Sequence, residues 1–163
     1  MSKLVKSLGI AVMACGCVFS VFGQDAGANL LKQWKLNGTN SLIQTDGVIA
    51  CENKSEKDVN GVWQKVVLDQ KEAKTIEFSA EHKVENVSGD LNQYDYAIYL
   101  DITHPDGSTT GGVSVPFKTG THDWEKVSLS YTPTKPIKSM FYYLLFRNKT
   151  GKVWFKNAVL IQK

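Results

Sequence analysis

Residues 94–108 read YDYAIYLDITHPDGS, and the way this stretch divides decides the fold. Tyr96, Ile98, Leu100 and Ile102 alternate with Ala97, Tyr99, Asp101 and Thr103. A period of two places successive side chains on opposite faces of a strand, so one side is apolar and the other mixed. The next four residues, His104-Pro105-Asp106-Gly107, spell a reversal, because proline presets φ for the turn and glycine accepts the positive φ that follows. The strand at 94–103 is therefore expected to fold back on a partner at 112–117. Tyr94 and Tyr96 fall on the apolar side and are expected to pack. Tyr99 shares its parity with Asp95 and Asp101, too polar a set for a core face, and is expected to point outward or into a groove.

The same grammar runs along the rest of the chain. Short runs rich in β-branched and aromatic residues recur between turn signals, at 30–36, 42–51, 62–67, 75–84, 125–131, 138–147 and 152–161. Helical spacing of apolar residues is almost absent from residues 24–163. Nine short strands in one domain can bury their apolar sides only as two packed sheets, so the fold class is all-β, an antiparallel two-sheet β-sandwich of the jelly-roll type. In 75–84, Ile76, Phe78, Ala80, His82 and Val84 oppose Glu77, Ser79, Glu81 and Lys83, which gives that strand one wet face. MFYYLLFR, residues 140–147, does not alternate, as expected of a central strand covered on both sides or facing a groove on its second side. Asn60-Gly61 reads as a turn ahead of the strand at 62–67. The expected core contains Trp34, Phe78, Tyr96, Ile98, Leu129, Leu144 and Phe155.

Residues 1–23 stand apart. Lys3 and Lys6 precede an apolar run that is short for a bilayer span, and Val21-Phe22-Gly23 offers a small-residue cleavage site before Gln24. This is the pattern of a secretory signal peptide, with residues 24–163 as the mature domain, secreted or periplasmic and without a membrane anchor after cleavage. Lipidation at Cys15 or Cys17 is the alternative, although the sequence after them stays apolar rather than opening a polar tether. Losing Lys3 and Lys6 takes the formal charge from +3 to +1. A nearly neutral chain with no long basic run is poorly suited to phosphate backbones, which argues against a nucleic-acid partner. Only Cys51 remains in the mature chain, so no internal disulfide is available, and its apolar surroundings in GVIACEN mark it as a packed thiol. Asn37, Asn53, Asn86 and Asn148 each begin an Asn-x-Ser/Thr triplet.

Catalytic chemistry is not indicated. The three histidines, His82, His104 and His122, show no zinc spacing, and there is no nucleophile elbow, phosphate loop or nucleotide-binding glycine pattern. His82 lies within a strand and reads as a core or edge residue. What the chain does offer is rings beside polar groups on strands. A flat ring meets the C–H face of a sugar while carboxylates and guanidinium groups take its hydroxyls. Tyr99 and Asp101 share a parity on one strand, and Tyr143 and Arg147 share one on another; Trp63, placed at a loop edge after Asn60-Gly61, completes the proposed ligand-binding set. Trp124 and Trp154 are set aside as packing residues.

Taken in order, KVENVSG at 83–89, the tyrosine-rich hairpin at 94–108, TGTHDWEK at 119–126 and GKVWFKNAVL at 151–160 resemble the β-sandwich carbohydrate-binding modules of the family 4, 9 and 22 type, galactose-binding-domain-like accessory domains of secreted polysaccharide-degrading enzymes. The resemblance implies a jelly-roll, a glycan site on a concave sheet face or in the loops at its edge, a poly- or oligosaccharide partner acting beside a separate degrading enzyme, and often a structural calcium ion. Where such modules carry acids near the end of the last strand, this chain has Lys156-Asn157, which disfavours calcium and leaves Asn157 as the one surviving candidate ligand there. No other cofactor is implied. Two other functions stay open at this point: a structural or adhesive sandwich that binds no sugar, and a small jelly-roll lyase or glycosidase.

Overall fold

The computed structural model describes residues 27–88 and 92–163, and every regular element among them is a strand. The leader assigned to 1–23, with its cleavage site, lies outside the described residues. The strands are β1 (Lys35–Asn37), β2 (Ser41–Ile43), β3 (Ile49–Asn53), β4 (Val59–Val67), β5 (Ile76–Val87), β6 (Tyr96–Thr103), β7 (Thr109–Pro116), β8 (Gly120–Tyr131), β9 (Ser139–Arg147) and β10 (Gly151–Gln162). They form two five-stranded sheets, β1-β4-β9-β6-β7 and β2-β3-β10-β5-β8, and each recorded pairing is antiparallel. The chain passes repeatedly from one sheet to the other, so the expected two-sheet sandwich is the observed one.

The hairpin read from residues 94–108 is present. Gly107 donates its amide to the His104 carbonyl at 3.0 Å with φ of +82°, and β6 runs back along β7. His104 is buried in this turn because both ring nitrogens are occupied, Nδ1 by the Pro136 carbonyl at 2.8 Å and Nε2 by the Thr110 hydroxyl at 2.9 Å.

The core lies between the sheets. Ile76, Phe78, Ala80 and Val84 of β5 and Val153, Phe155 and Leu160 of β10 face Val62 and Val66 of β4, Tyr96, Ile98, Leu100 and Ile102 of β6, and Met140, Tyr142, Leu144 and Phe146 of β9. Leu129 is only half-buried, since β8 is an edge strand whose inner face is covered on one side alone. Trp34 is also half-buried, just ahead of edge strand β1, with its ring edge-on to Tyr142 at 5.7 Å.

Two stretches depart from the sequence reading. The single strand expected at 42–51 is two, because Gln44 to Gly47 make a tight turn, with the Gly47 amide on the Gln44 carbonyl at 2.9 Å and Gly47 at φ +82°. Asn60-Gly61 is not a turn but part of β4. Asn60 is buried, donating to the Glu52 carbonyl and to Asn53 Oδ1 while its own Oδ1 accepts from the Asn40 amide. Gly61 has φ of +132°, and a Cβ there would collide with the Leu144 carbonyl of β9. Glycine stands at this position because β4 and β9 approach closely, not because the chain reverses.

Asn53 is 2% exposed and donates to the carbonyls of Phe146 and Lys149, so of the four Asn-x-Ser/Thr triplets this one cannot accept a glycan in the folded protein. Cys51 is buried and unpaired, as expected of a packing thiol.

Candidate functional site

The five residues singled out from the sequence all lie on the outer face of the first sheet. β9 is the centre of that sheet, with Met140, Tyr142, Leu144 and Phe146 directed to the core and the intervening residues directed out. Its lack of alternation therefore has the second of the two expected causes: the far side is an aromatic surface. Register brings the set together. Tyr143 sits directly opposite Tyr99 of β6 on one side and Trp63 of β4 on the other. Directly opposed residues share a face and touch.

The result is a continuous row of rings across three strands. Trp63 packs edge-on against Phe141 with centroids 5.6 Å apart, Phe141 lies 6.2 Å from Tyr143, and Tyr143 lies 6.0 Å from Tyr99. Tyr94 extends the row, edge-on to Tyr99 at 6.0 Å. Tyr94 was expected to pack inside, but it lies in the turn before β6, where strand parity no longer applies, and it is 36% exposed. Trp63 is not at a loop edge; it is in the middle of β4, where Gly61 lets that strand run close beside β9. Phe141 shares the parity of Tyr143 and Arg147 and joins them on this face, a member of the set that the sequence reading left out.

Beside the rings, Asn37, Val59, Tyr99, Asp101, Tyr143, Leu145 and Arg147 line a shallow depression of about 240 Å³. Asp101 is the one carboxylate in its lining. Tyr99 has its hydroxyl raised above the ordinary tyrosine range, first by partial burial and then by the Asp101 charge and a hydrogen bond to that carboxylate; Tyr143 is raised for the first two reasons. Both phenols are therefore neutral donors at neutral pH. Arg147 is held from behind: its Nε donates to Asp95 Oδ1 at 3.2 Å, and Asn148 Nδ2 donates to the same oxygen at 3.0 Å. Asp95, read as outward-facing with Tyr99, is instead buried in this anchor. The anchor uses one of five guanidinium donors and fixes the direction of the rest. Gly111 and Gly112 flank the tyrosines without side chains, against Asp101 and Tyr94 respectively. A second depression of about 440 Å³ lies at the Trp63 end, lined by Leu30, Lys32, Lys35 and Lys65 among others.

The outer face of the other sheet is built differently. Glu77 with Lys163, Glu81 with Lys156, Lys83 with Asp123 and Glu85 with Lys152 are paired along β5 and its neighbours. Trp124 and Trp154 stand on this solvent side rather than in the core, half-buried, and the Lys156 ammonium lies 4.0 Å from the Trp124 ring centre. A depression of about 430 Å³ on this face is lined by serines, Lys126, Glu77 and aliphatic edges, and its one ring, Phe78, is 1% exposed.

This geometry also tests the implied calcium. At Lys156-Asn157 the Glu81 carboxylate is taken by Lys156 at 3.5 Å and by the Asn157 amide nitrogen at 2.9 Å. An ammonium and an amide N–H sit where oxygen donors would have to converge, and these residues do not fit a calcium ion.

No protein-family model matches the chain. By sequence, 72 residues, 44% of the chain, are 35% identical to the tRNA nuclease WapA of Bacillus subtilis (strain 168) and to the tRNA3(Ser)-specific nuclease WapA of Bacillus spizizenii, and the match spans about 3% of the length of those relatives. By structure, the chain is similar to a protein described as CBM4, with a TM-score of 0.53 at 16% identity over 78% of each chain. It is similar to the CBM22-1 xylan-binding domain of Paenibacillus barcinonensis Xyn10C, with a TM-score of 0.51 at 14% identity, covering 84% of this chain and 96% of that one. The enzymatically active domain of bacteriophage CBA120 tailspike protein 4 gives a TM-score of 0.56 at 10% identity, over 80% of this chain and 19% of that one. At these identities the likeness is one of fold, a two-sheet antiparallel β-sandwich.

Proposed function

We propose that this protein is a secreted, non-catalytic carbohydrate-binding module that holds a poly- or oligosaccharide on the outer face of β4, β9 and β6. The observation that carries the reading is the row from Trp63 through Phe141, Tyr143 and Tyr99 to Tyr94 on a solvent-facing sheet. A run of half-exposed rings on a sheet face marks a binding surface, and sugar C–H faces stack on such rings. Two strand spacings separate β4 from β6, roughly 10 Å, which is a span for more than one ring of a chain-like ligand. Asp101, the two phenols and the anchored Arg147 supply donors and acceptors for hydroxyl groups along the same line. A glycosidase would need two carboxylates flanking the bond, and Asp101 alone lines the depression. A second reading, an adhesive face that docks protein, rests on Lys35 and Lys65, whose ammonium groups lie 4.8 Å and 6.0 Å from the centres of the Trp63 and Phe141 rings.

A glycan array probed with the leader-processed protein, followed by titration of the best ligand, tests the proposal. Tyr99→Ala and Trp63→Ala are each expected to weaken binding about tenfold, since losing one stacked ring costs roughly 1–1.5 kcal/mol. Trp154→Ala, on the opposite face, should leave affinity unchanged. An array with no hits, or wild-type affinity in both ring variants with the fold intact, refutes the assignment.

A further inference from the structure

His82 is the least explained residue in the core. It lies in the middle of β5, 0% exposed, with Nδ1 at 2.9 Å from the Tyr96 hydroxyl and its ring against Phe117. Its Nε2 is buried and has no hydrogen-bond partner. An orphaned imidazole nitrogen in a β-sandwich interior costs stability unless something else occupies its lone pair. What faces it is not only apolar. The pairing of β5 with β8 sets Glu125 directly opposite His82, and the His122 ring stands nearly perpendicular to the His82 ring with centroids 4.8 Å apart. One donor atom from each of His82, His122 and Glu125 can be chosen so that all three lie within 4.8 Å of one another.

We propose that His82, His122 and Glu125 form a binding site for a zinc-class transition-metal ion, at the edge of the second sheet and apart from the aromatic face. Two imidazoles and one carboxylate are the donor set that suits zinc, with water in the fourth position; calcium and magnesium prefer oxygen throughout. Tetrahedral ligation at 2.0–2.1 Å puts donor atoms roughly 3.4 Å apart, so the three must close in by about 1.4 Å at most. Glu125 can supply that movement, since its side chain is 42% exposed, and the same exposure gives the ion a way in. Tyr96 takes the role of the outer hydrogen-bond partner: a proton on His82 Nδ1, shared with the Tyr96 oxygen, leaves the unpartnered Nε2 lone pair to take the ion. Two present contacts must yield. Lys118 holds Glu125 Oε1 at 3.1 Å and would be displaced by the ion, and His122 must release one of its two carbonyl contacts, to Asp123 at 2.6 Å or to Lys118 at 3.2 Å.

The test uses untagged, chelator-stripped full-length protein titrated with zinc chloride by calorimetry, with cobalt chloride as a spectroscopic probe and calcium and magnesium chloride as controls. Expected are one zinc per chain, a saturable rise in melting temperature, and visible cobalt bands of four- or five-coordinate intensity. His122→Ala and Glu125→Gln, at side chains 12% and 42% exposed, should each weaken zinc binding more than tenfold while circular dichroism stays unchanged. Asp123→Asn, a neighbour outside the donor set, should bind as wild type. The proposal is overturned by an absence of stoichiometric zinc binding, or by zinc binding that survives both ligand variants undiminished, which would mark it as adventitious surface chelation.

Discussion

Replacing Gly61 by alanine probes the contact on which the aromatic row depends. Gly61 lies in β4 two residues before Trp63, opposite Leu145 of β9, with φ of +132°. Alanine there meets two penalties. A non-glycine residue in a sparsely populated backbone region costs about 1–3 kcal/mol. Its Cβ would also overlap the Leu144 carbonyl, so β4 must shift away from β9, stretching the ladder that sets Trp63 opposite Tyr143. Together the cost should be about 3 kcal/mol, which for a domain of this size lowers the melting temperature by roughly 10 °C. Gly47→Ala is the matched control: its φ is +82°, but nothing lies within 4 Å of the added Cβ. It should show only the conformational penalty, about 1–2 kcal/mol. Thermal and urea unfolding of both variants, followed by titration with the glycan that the wild type binds, measures the two effects separately. The reasoning fails if Gly61→Ala is no more destabilising than Gly47→Ala, or if it destabilises the fold yet leaves glycan affinity untouched.

Three further outcomes are expected. Burial pushes the Cys51 thiol up to about 11, and Cys51 is 3% exposed; in leader-processed protein a thiol reagent at pH 8 should label it only as fast as the domain opens, and stoichiometric labelling within seconds would contradict the burial. The same raised value means the unfolded chain loses this proton first, so the thiol's contribution of about 3 kcal/mol should be present below pH 9 and lost as pH rises towards 11; urea midpoints that do not fall across that window would refute it. Because Lys156 and the Asn157 amide occupy the Glu81 carboxylate, adding calcium to chelator-treated protein should leave the melting temperature within about 2 °C, and a rise near 10 °C would show that other oxygens assemble a site.

The β-sandwich was legible because its signals are local. Alternation at 75–84 and 96–103 and the turn at 104–107 each depend on neighbours in sequence, and all three held. Asn60-Gly61 misled for the opposite reason: what demands a glycine is the Leu144 carbonyl, far away in the chain, and the dipeptide alone cannot distinguish close approach from reversal. Parity and ring chemistry single out Tyr99 and Tyr143, whereas Trp63 is picked out by a turn at Asn60-Gly61 that is absent, and register sets Tyr143 opposite both. Tyr94 was assigned to the wrong side since parity was carried two residues past the start of β6. His82, His122 and Glu125 had no motif to find them by, because a site split across β5 and β8 exists only once those strands pair.

The position of β9 and β10 bears on when the chain can fold. Each sits at the centre of its sheet, β9 between β4 and β6 and β10 between β3 and β5, and both lie within residues 139–162, after the other described strands. Until that segment is available, the first sheet consists of a β1-β4 pair and a β6-β7 hairpin with nothing joining them, and the second of β2-β3 and β5-β8. Isolated strand pairs are marginal in water, so earlier stages of synthesis offer no stable stopping point. Closing both sheets brings residues 139–162 back against strands far earlier in the chain, a high-contact-order topology of the kind that folds in milliseconds to seconds. With this strand order, neither five-stranded sheet can close until residues 139–162 have inserted between strands from much earlier in the chain.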